Sequence, residues 1–216
     1  MNILQSTTTK LGNRINLFGQ KQNGENILII GVFHGDEPQG KHLIDKYLSS
    51  KHYLQTKNNL LFIPCLNPDG LQNKTRTNAN GVDLNRNFPT KNWGGDTSSA
   101  GNNPQDYYGG KSAASEFETQ FVTDIIEKYK PKIILTLHAP YKIVNYDGPA
   151  KDIAKKISDI IGYPVEASIG YPTPGSFGTY CGVERNIPTI TLELDEKIPV
   201  AQLEQPVFEI FDMLKI

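Results

Sequence analysis

Apolar and polar positions follow two rhythms along the chain. Unbroken apolar runs rich in β-branched residues occur at "NILIIGVFH" (26–34), "NLLFIPCLN" (59–67), "KIILTLHA" (132–139) and "PTITLELDE" (188–196). Runs of that length, bounded by polar punctuation, predict strands buried on both faces. "KIVNYDG" (142–148) predicts one more. Between them the spacing changes to that of helices. "EPQGKHLIDKYLSSKHYL" (37–54) carries Pro38 in its first turn, and "SEFETQFVTDIIEKY" (115–129) has Ser115 placed as its cap. "AKDIAKKISDIIG" (150–162) closes on Gly162, and "VAQLEQPVFEIFDMLKI" (200–216) is divided by Pro206. Residues 67–110 are rich in Asn, Gly, Asp and Pro and show little periodicity. A connection of that length is usually functional.

Strands alternating with helices over 216 residues predict a single domain of the α/β class. Its centre should be a mixed, mainly parallel sheet with helices on both faces. In such sheets ligands gather beyond the carboxyl ends of the strands. His34, Asn67, His138 and Glu193 all fall at or near such an end, which is the first sign that they share a site.

Composition narrows the partners. A formal net charge of -1 gives no footprint for nucleic acid or an anionic membrane. No apolar run approaches the roughly 20 residues of a membrane helix. The stretch "MNILQSTTTKLGNRINLFGQ" lacks the charged and apolar regions of a signal peptide. The two cysteines, Cys65 and Cys181, lie in apolar or glycine-rich surroundings and read as reduced thiols of a cytoplasmic protein.

Several polar residues sit where a purely structural role is awkward. His34 and Glu37, three apart in "GVFHGDEPQG", fit either a capped helix start or two ligands of a metal. A catalytic zinc site needs three protein ligands, so a third must come from elsewhere. Of the other histidines, His42 and His52 lie in or after a helical stretch and read as surface or half-buried residues. His138 stands where a buried strand emerges. Glu193 interrupts "TITLELDE", and period two places it opposite Leu192 and Leu194. It is either a sheet-edge carboxylate facing water or a general base of tuned pKa. Arg76, Asn85 and Arg86 in "RTNANGVDLNRNFP" are either solvated loop residues or donors for a carboxylate, which an arginine fork grips bidentately.

Taken in order, "HGDE" (34–37), "NPDG" (67–70), Arg76, "GVDLNRNF" (81–88), His138 and "TLELDE" (191–196) resemble the zinc carboxypeptidase family across most of the chain. Within it, "VNYDGPA" (144–150), "YPTPGSFGTYCG" (171–182) and "ERNIPTITLEL" (184–194) are similar to a subgroup of compact cytoplasmic amidases acting on murein peptides. The resemblance implies one zinc ion per chain, held by His34, Glu37 and His138. It implies Glu193 as the catalytic glutamate and Arg76 as the arginine that polarises the scissile carbonyl. Asn85 and Arg86 would receive the substrate's carboxylate. Tyr180 would be a substrate contact, although its spacing from Gly175 and Ser176 departs from that of the family's mobile tyrosine. The implied substrate is a small peptide, murein tripeptide, cut at its γ-D-glutamyl–meso-diaminopimelate bond. A general carboxypeptidase removing C-terminal L-amino acids shares every catalytic residue and stays open, as does, more remotely, a non-catalytic zinc-dependent peptide-binding module.

Overall fold

The four buried apolar runs lie side by side at the centre of one eight-stranded sheet. The computed structural model describes residues 1–20, 24–50, 57–98, 101 and 103–215. In chain order the strands are β1 (Asn2–Thr8), β2 (Arg14–Gly19), β3 (Asn26–Gly31), β4 (Asn59–Ile63), β5 (Ile133–His138), β6 (Ile143–Asp147), β7 (Val165–Glu166) and β8 (Thr189–Glu193). The helices are α1 (Gln39–Ser50), α2 (Pro68–Asn73), α3 (Phe117–Tyr129), α4 (Lys151–Ile161) and α5 (Glu204–Leu214). The strand order is β1-β2-β4-β3-β5-β8-β6-β7. β4, β3, β5 and β8 run parallel, β1 and β2 extend one edge antiparallel, and β6 returns antiparallel against β8.

Alternation along the strands sorts the core into two layers. Ile27, Ile29, Leu135, Leu137, Ile190 and Leu192 pack under α1, α4 and α5. Leu28, Ile30, Leu61, Ile63 and Ile134 face the other way, onto α3. These side chains are at most 2% exposed, and each contributes roughly 1.5–3 kcal/mol by leaving water. The same alternation puts Thr136 and His138 of β5, and Thr191 and Glu193 of β8, on the α3 side.

The structure departs from the sequence expectations at several boundaries. No element is expected before residue 26, yet β1 and β2 pair there as an antiparallel edge. Their burial is only partial, so they lack the apolar run that marks the inner strands. β3 stops at Gly31 because Val32 takes a positive φ of 55°. α2 forms inside the expected loop: Pro68 opens it, and Asn67 Oδ1 accepts the Gly70 N–H at 2.9 Å. Ser115 does not cap α3; the N-cap position is Glu116, and Ser115 Oγ bonds the Glu116 carboxylate. Pro206 lies in the first turn of α5, and the break falls earlier, where the 3-10 turn Val200–Leu203 meets the helix. Gly162 ends α4 in the left-handed conformation, as expected. His42 is half-exposed and bonds Glu204 at 2.8 Å, whereas residues 51–54, with His52, lie outside the described residues. Cys65 and Cys181 are both free and buried. Among the described residues no helix is long and apolar enough to cross a membrane.

Candidate active site

Four parallel strands deliver their carboxyl ends to one edge of the sheet. His138 is the last residue of β5 and pairs in register with Glu193, the last of β8. His34 and Glu37 follow β3, and the tight turn between them is closed by the Glu37 N–H donating to His34 O at 3.2 Å. Gly35 is required there: a Cβ on it would fall 1.9 Å from the backbone of Gly70. Asn67 knits this turn to the next, accepting from Gly70 and donating to Phe33 O and Arg76 O.

The side chains converge. His34 Nδ1 lies 2.7 Å from Glu37 Oε1 and 3.3 Å from His138 Nδ1, and His138 Nδ1 lies 3.1 Å from Glu37 Oε2. The Ala139 N–H also donates to Glu37 Oε2, at 3.2 Å. Burial and Arg76 lower the His34 pKa, but the Glu37 and Asp83 carboxylates outweigh them and lift it to about 9. Burial pushes Glu37 up, and His34 and His138 together hold it well below the usual carboxylate range.

These residues fit a metal ion. One ligand atom from each of His34, Glu37 and His138 lies within 4.8 Å of the others. Tetrahedral zinc with bonds of about 2.0–2.1 Å separates its nitrogen ligands by about 3.3–3.4 Å, and the two imidazole nitrogens are 3.3 Å apart. Two histidines and a carboxylate, with a side left open to a cavity, are the donor set of a catalytic zinc site.

A cavity of about 220 Å³ opens beside this cluster, and its walls include His34, Glu37, His138, Glu193, Arg76, Asn85 and Arg86. All seven residues singled out from the sequence as ligands, base or substrate donors are therefore brought together. Glu193 is 6% exposed, and its Oε2 is buried without a hydrogen-bond partner among the described residues. Burial pushes its carboxyl above the usual range, and Glu37 adds to this, against the opposing pull of His138 and His34. Arg86 is 2% exposed; its Nη1 donates to Asn85 O at 2.7 Å, while Nε and Nη2 have no partner among the described residues. Asn85 Oδ1 accepts the Phe177 N–H at 2.8 Å, which fixes its amide.

Tyr180 is the exception. Its ring is 2% exposed and packs on Phe88, with Arg185 stacked 3.4 Å over its other side. It is a core residue and no wall of the cavity. The tyrosines that do line the cavity are Tyr141 and Tyr171.

Asp83, behind the ligand cluster, also escaped the sequence reading. Asp83 is fully buried and receives four N–H groups: His34 Nε2 at 3.2 Å, Asn85 N at 2.8 Å, and Arg76 Nε and Nη2 at 3.2 and 2.9 Å. Burial raises its carboxyl, but Arg76 and His34 reverse the shift and keep it ionised. A carboxylate behind a ligating histidine fixes the ring's tautomer and orientation. The available signal was an acidic residue seven positions after Arg76, inside "GVDLNRNF".

A metal-ligand trio beyond the carboxyl ends of a mixed sheet, with a buried carboxylate beside it, defines a metal-dependent hydrolase of the α/β class. The sequence comparison agrees, since the family model described as zinc carboxypeptidase matches residues 3–159. The chain belongs to the zinc carboxypeptidase family. Glu193 lies beyond the matched stretch, so its place rests on the register with His138. The chain is 34% identical to murein peptide amidase A of Escherichia coli over 175 residues, 78% of this chain and 71% of that protein. It is 35% identical to murein peptide amidase A of Vibrio campbellii over 182 residues, 81% of this chain and 71% of that one. The crystal structure of the murein-tripeptide amidase of Escherichia coli superimposes with a TM-score of 0.79 at 26% identity, covering 97% of this chain and 90% of that one. Thrombin-activatable fibrinolysis inhibitor shares the fold, with a TM-score of 0.78 at 17% identity over 98% of this chain and 69% of its own.

Proposed function

We propose that this protein is a zinc-dependent amidase that cuts the γ-D-glutamyl–meso-diaminopimelate bond of murein tripeptide in the cytoplasm, as part of cell-wall recycling. The observation that carries the chemistry is the pairing of His138 with Glu193 beside His34 and Glu37. Similarity to the murein peptide amidases over about four-fifths of the chain supports the substrate. The two unpaired buried cysteines support the compartment.

His34, Glu37 and His138 would hold one zinc ion. Bound there, zinc supplies Lewis-acid chemistry, polarising a carbonyl and acidifying water. Glu193, its carboxyl held above the usual carboxylate range by burial, takes the proton of the attacking water. The same carboxyl later returns it to the leaving amine. Arg76 is clamped from behind by Asp83 and turns Nη1 toward His34 and Glu37. Its fixed charge favours the oxyanion over the neutral amide. Arg86 offers two N–H directions unpartnered among the described residues, and a carboxylate on the leaving side can accept both. Held there and by Asn85, the substrate keeps its scissile bond beside Glu193.

The test is to incubate zinc-loaded protein with synthetic L-Ala-γ-D-Glu-meso-diaminopimelate and identify the products by mass spectrometry. Chelator-sensitive release of free diaminopimelate is expected. Cleavage of ordinary peptides with the tripeptide left intact would make the protein a general carboxypeptidase. Binding without cleavage of either would make it a peptide-binding module.

A further inference from the structure

The end of the long polar stretch 67–110 takes no part in the chemistry above, yet it is fastened to the residues that do. Pro104–Tyr107 forms a 3-10 turn capped by Asn103, whose side chain accepts the Gln105 N–H at 3.3 Å. Arg76 Nε donates to Asp106 O at 3.2 Å, and the Asp83 N–H donates to Tyr108 O at 2.9 Å. Between these two ties the half-buried Tyr107 ring faces both arginines of the site. The Arg76 guanidinium carbon lies 4.9 Å from the ring centre, and that of Arg86 lies 5.6 Å from it. Tyr171, a wall of the catalytic cavity, meets the same ring edge-on with the ring centres 6.4 Å apart.

Neighbouring cations repel, and each is costly to keep out of water without a partner. The two arginines are balanced differently. Arg76 has the Asp83 carboxylate, which takes its Nε and Nη2. Arg86 forms no ion pair among the described residues, and its Nε and Nη2 have no hydrogen-bond partner there. An aromatic face within about 6 Å attracts such a charge. Unlike a carboxylate, it has no oxygen to claim the N–H fork that a substrate's carboxylate would grip. An acidic residue at position 107 would compete with the substrate for Arg86, and the ring does not. We propose that Tyr107 is a positioning residue, whose ring spaces the Arg76 and Arg86 guanidinium groups and balances Arg86 while leaving its fork free. This rests on the reading of Arg86 as the group that receives the leaving-side carboxylate.

Zinc-loaded wild type, Tyr107→Phe and Tyr107→Leu test it on two pairs of compounds. One pair is L-Ala-γ-D-Glu-meso-diaminopimelate and its amide at the carboxyl group beside the scissile nitrogen. The other is benzoylglycyl-phenylalanine and benzoylglycyl-phenylalaninamide. Within a pair only the group that Arg86 meets changes. The wild type should prefer the free carboxylate by more than about a hundredfold in kcat/KM, in whichever pair it cuts. Tyr107→Phe keeps the ring and should hold that ratio within about twofold. Tyr107→Leu keeps an apolar side chain without a π face, and the ratio should fall by roughly tenfold to thirtyfold. The ratio is internal to each preparation and does not depend on the folded fraction. Calorimetric binding of each pair in a Glu193→Gln background reads the same selection without turnover. A Tyr107→Leu protein that slows both compounds of a pair alike, keeping the wild-type ratio, has lost packing alone and overturns the inference. A Tyr107→Phe protein that loses the ratio overturns it too. A wild-type ratio near one removes the Arg86 reading and the inference with it. Ring-dependent selection confined to the benzoylglycyl pair supports Tyr107 and overturns the substrate proposed above.

Discussion

Replacing Asp83 by asparagine keeps the side chain's shape and removes its charge. Four N–H groups point at this carboxylate, two at each oxygen: His34 Nε2 and Asn85 N at Oδ1, Arg76 Nε and Nη2 at Oδ2. Whichever way the new amide turns, its NH2 faces two donors, so two of the four contacts are lost. If the Arg76 side is lost, a guanidinium that is mostly out of water keeps no partner charge at its rear. At about 1.5–3 kcal/mol for a hydrogen bond to a charged group, the cost is about 3–5 kcal/mol. That is a large share of the roughly 5–15 kcal/mol by which such domains are stable. With the negative charge gone from behind it, whichever way the amide turns, the His34 ring should also hold metal less well, by roughly tenfold to a hundredfold. Urea unfolding reads the first effect, and competition with a chromogenic zinc chelator reads the second. A destabilisation under about 1 kcal/mol together with unchanged zinc affinity would refute the idea that Asp83 organises the site.

Glu118 is buried at the start of α3, and burial, aided by the neighbouring Glu116, raises its pKa from 4.5 to about 7. The folded protein then keeps a proton that the unfolded chain releases above 4.5, so this group's contribution falls by about 3 kcal/mol as pH rises from 4.5 to 7. Glu118→Gln should flatten that slope and be the more stable protein at pH 8; an unchanged slope of urea midpoint against pH would contradict it. Tyr180→Phe should keep kcat/KM within about twofold because the ring is core, and a tenfold loss would return Tyr180 to the reaction.

The inner half of the sheet was readable because β3, β4, β5 and β8 are buried on both faces and so are written as continuous apolar runs. The hairpin of β1 and β2 was not, because an edge that is only partly buried carries a mixed pattern. The site was legible to a similar degree and for a related reason. His34, His138 and Glu193 are polar residues at the ends of apolar runs, where burial demands an explanation. Asp83 and Tyr107 were harder to recognise. Each lies in a stretch where such a residue is ordinary, and only the fold shows that one faces four donors and the other two guanidinium groups. Tyr180, which the resemblance alone suggested as a substrate contact, lies elsewhere, because a place in a motif does not set the direction of a side chain. The π-helical turn Thr179–Val183 aims its ring inward, onto Phe88.

The most direct test of the central claim is turnover of L-Ala-γ-D-Glu-meso-diaminopimelate by Glu193→Gln. The replacement keeps the shape of the side chain and leaves His34, Glu37 and His138 in place. A variant that holds wild-type zinc and loses at least about a hundredfold in kcat, the scale of a lost general base, is the result expected. Near-normal hydrolysis by a zinc-loaded Glu193→Gln protein would show that another group moves the proton, and the account of this site would be wrong.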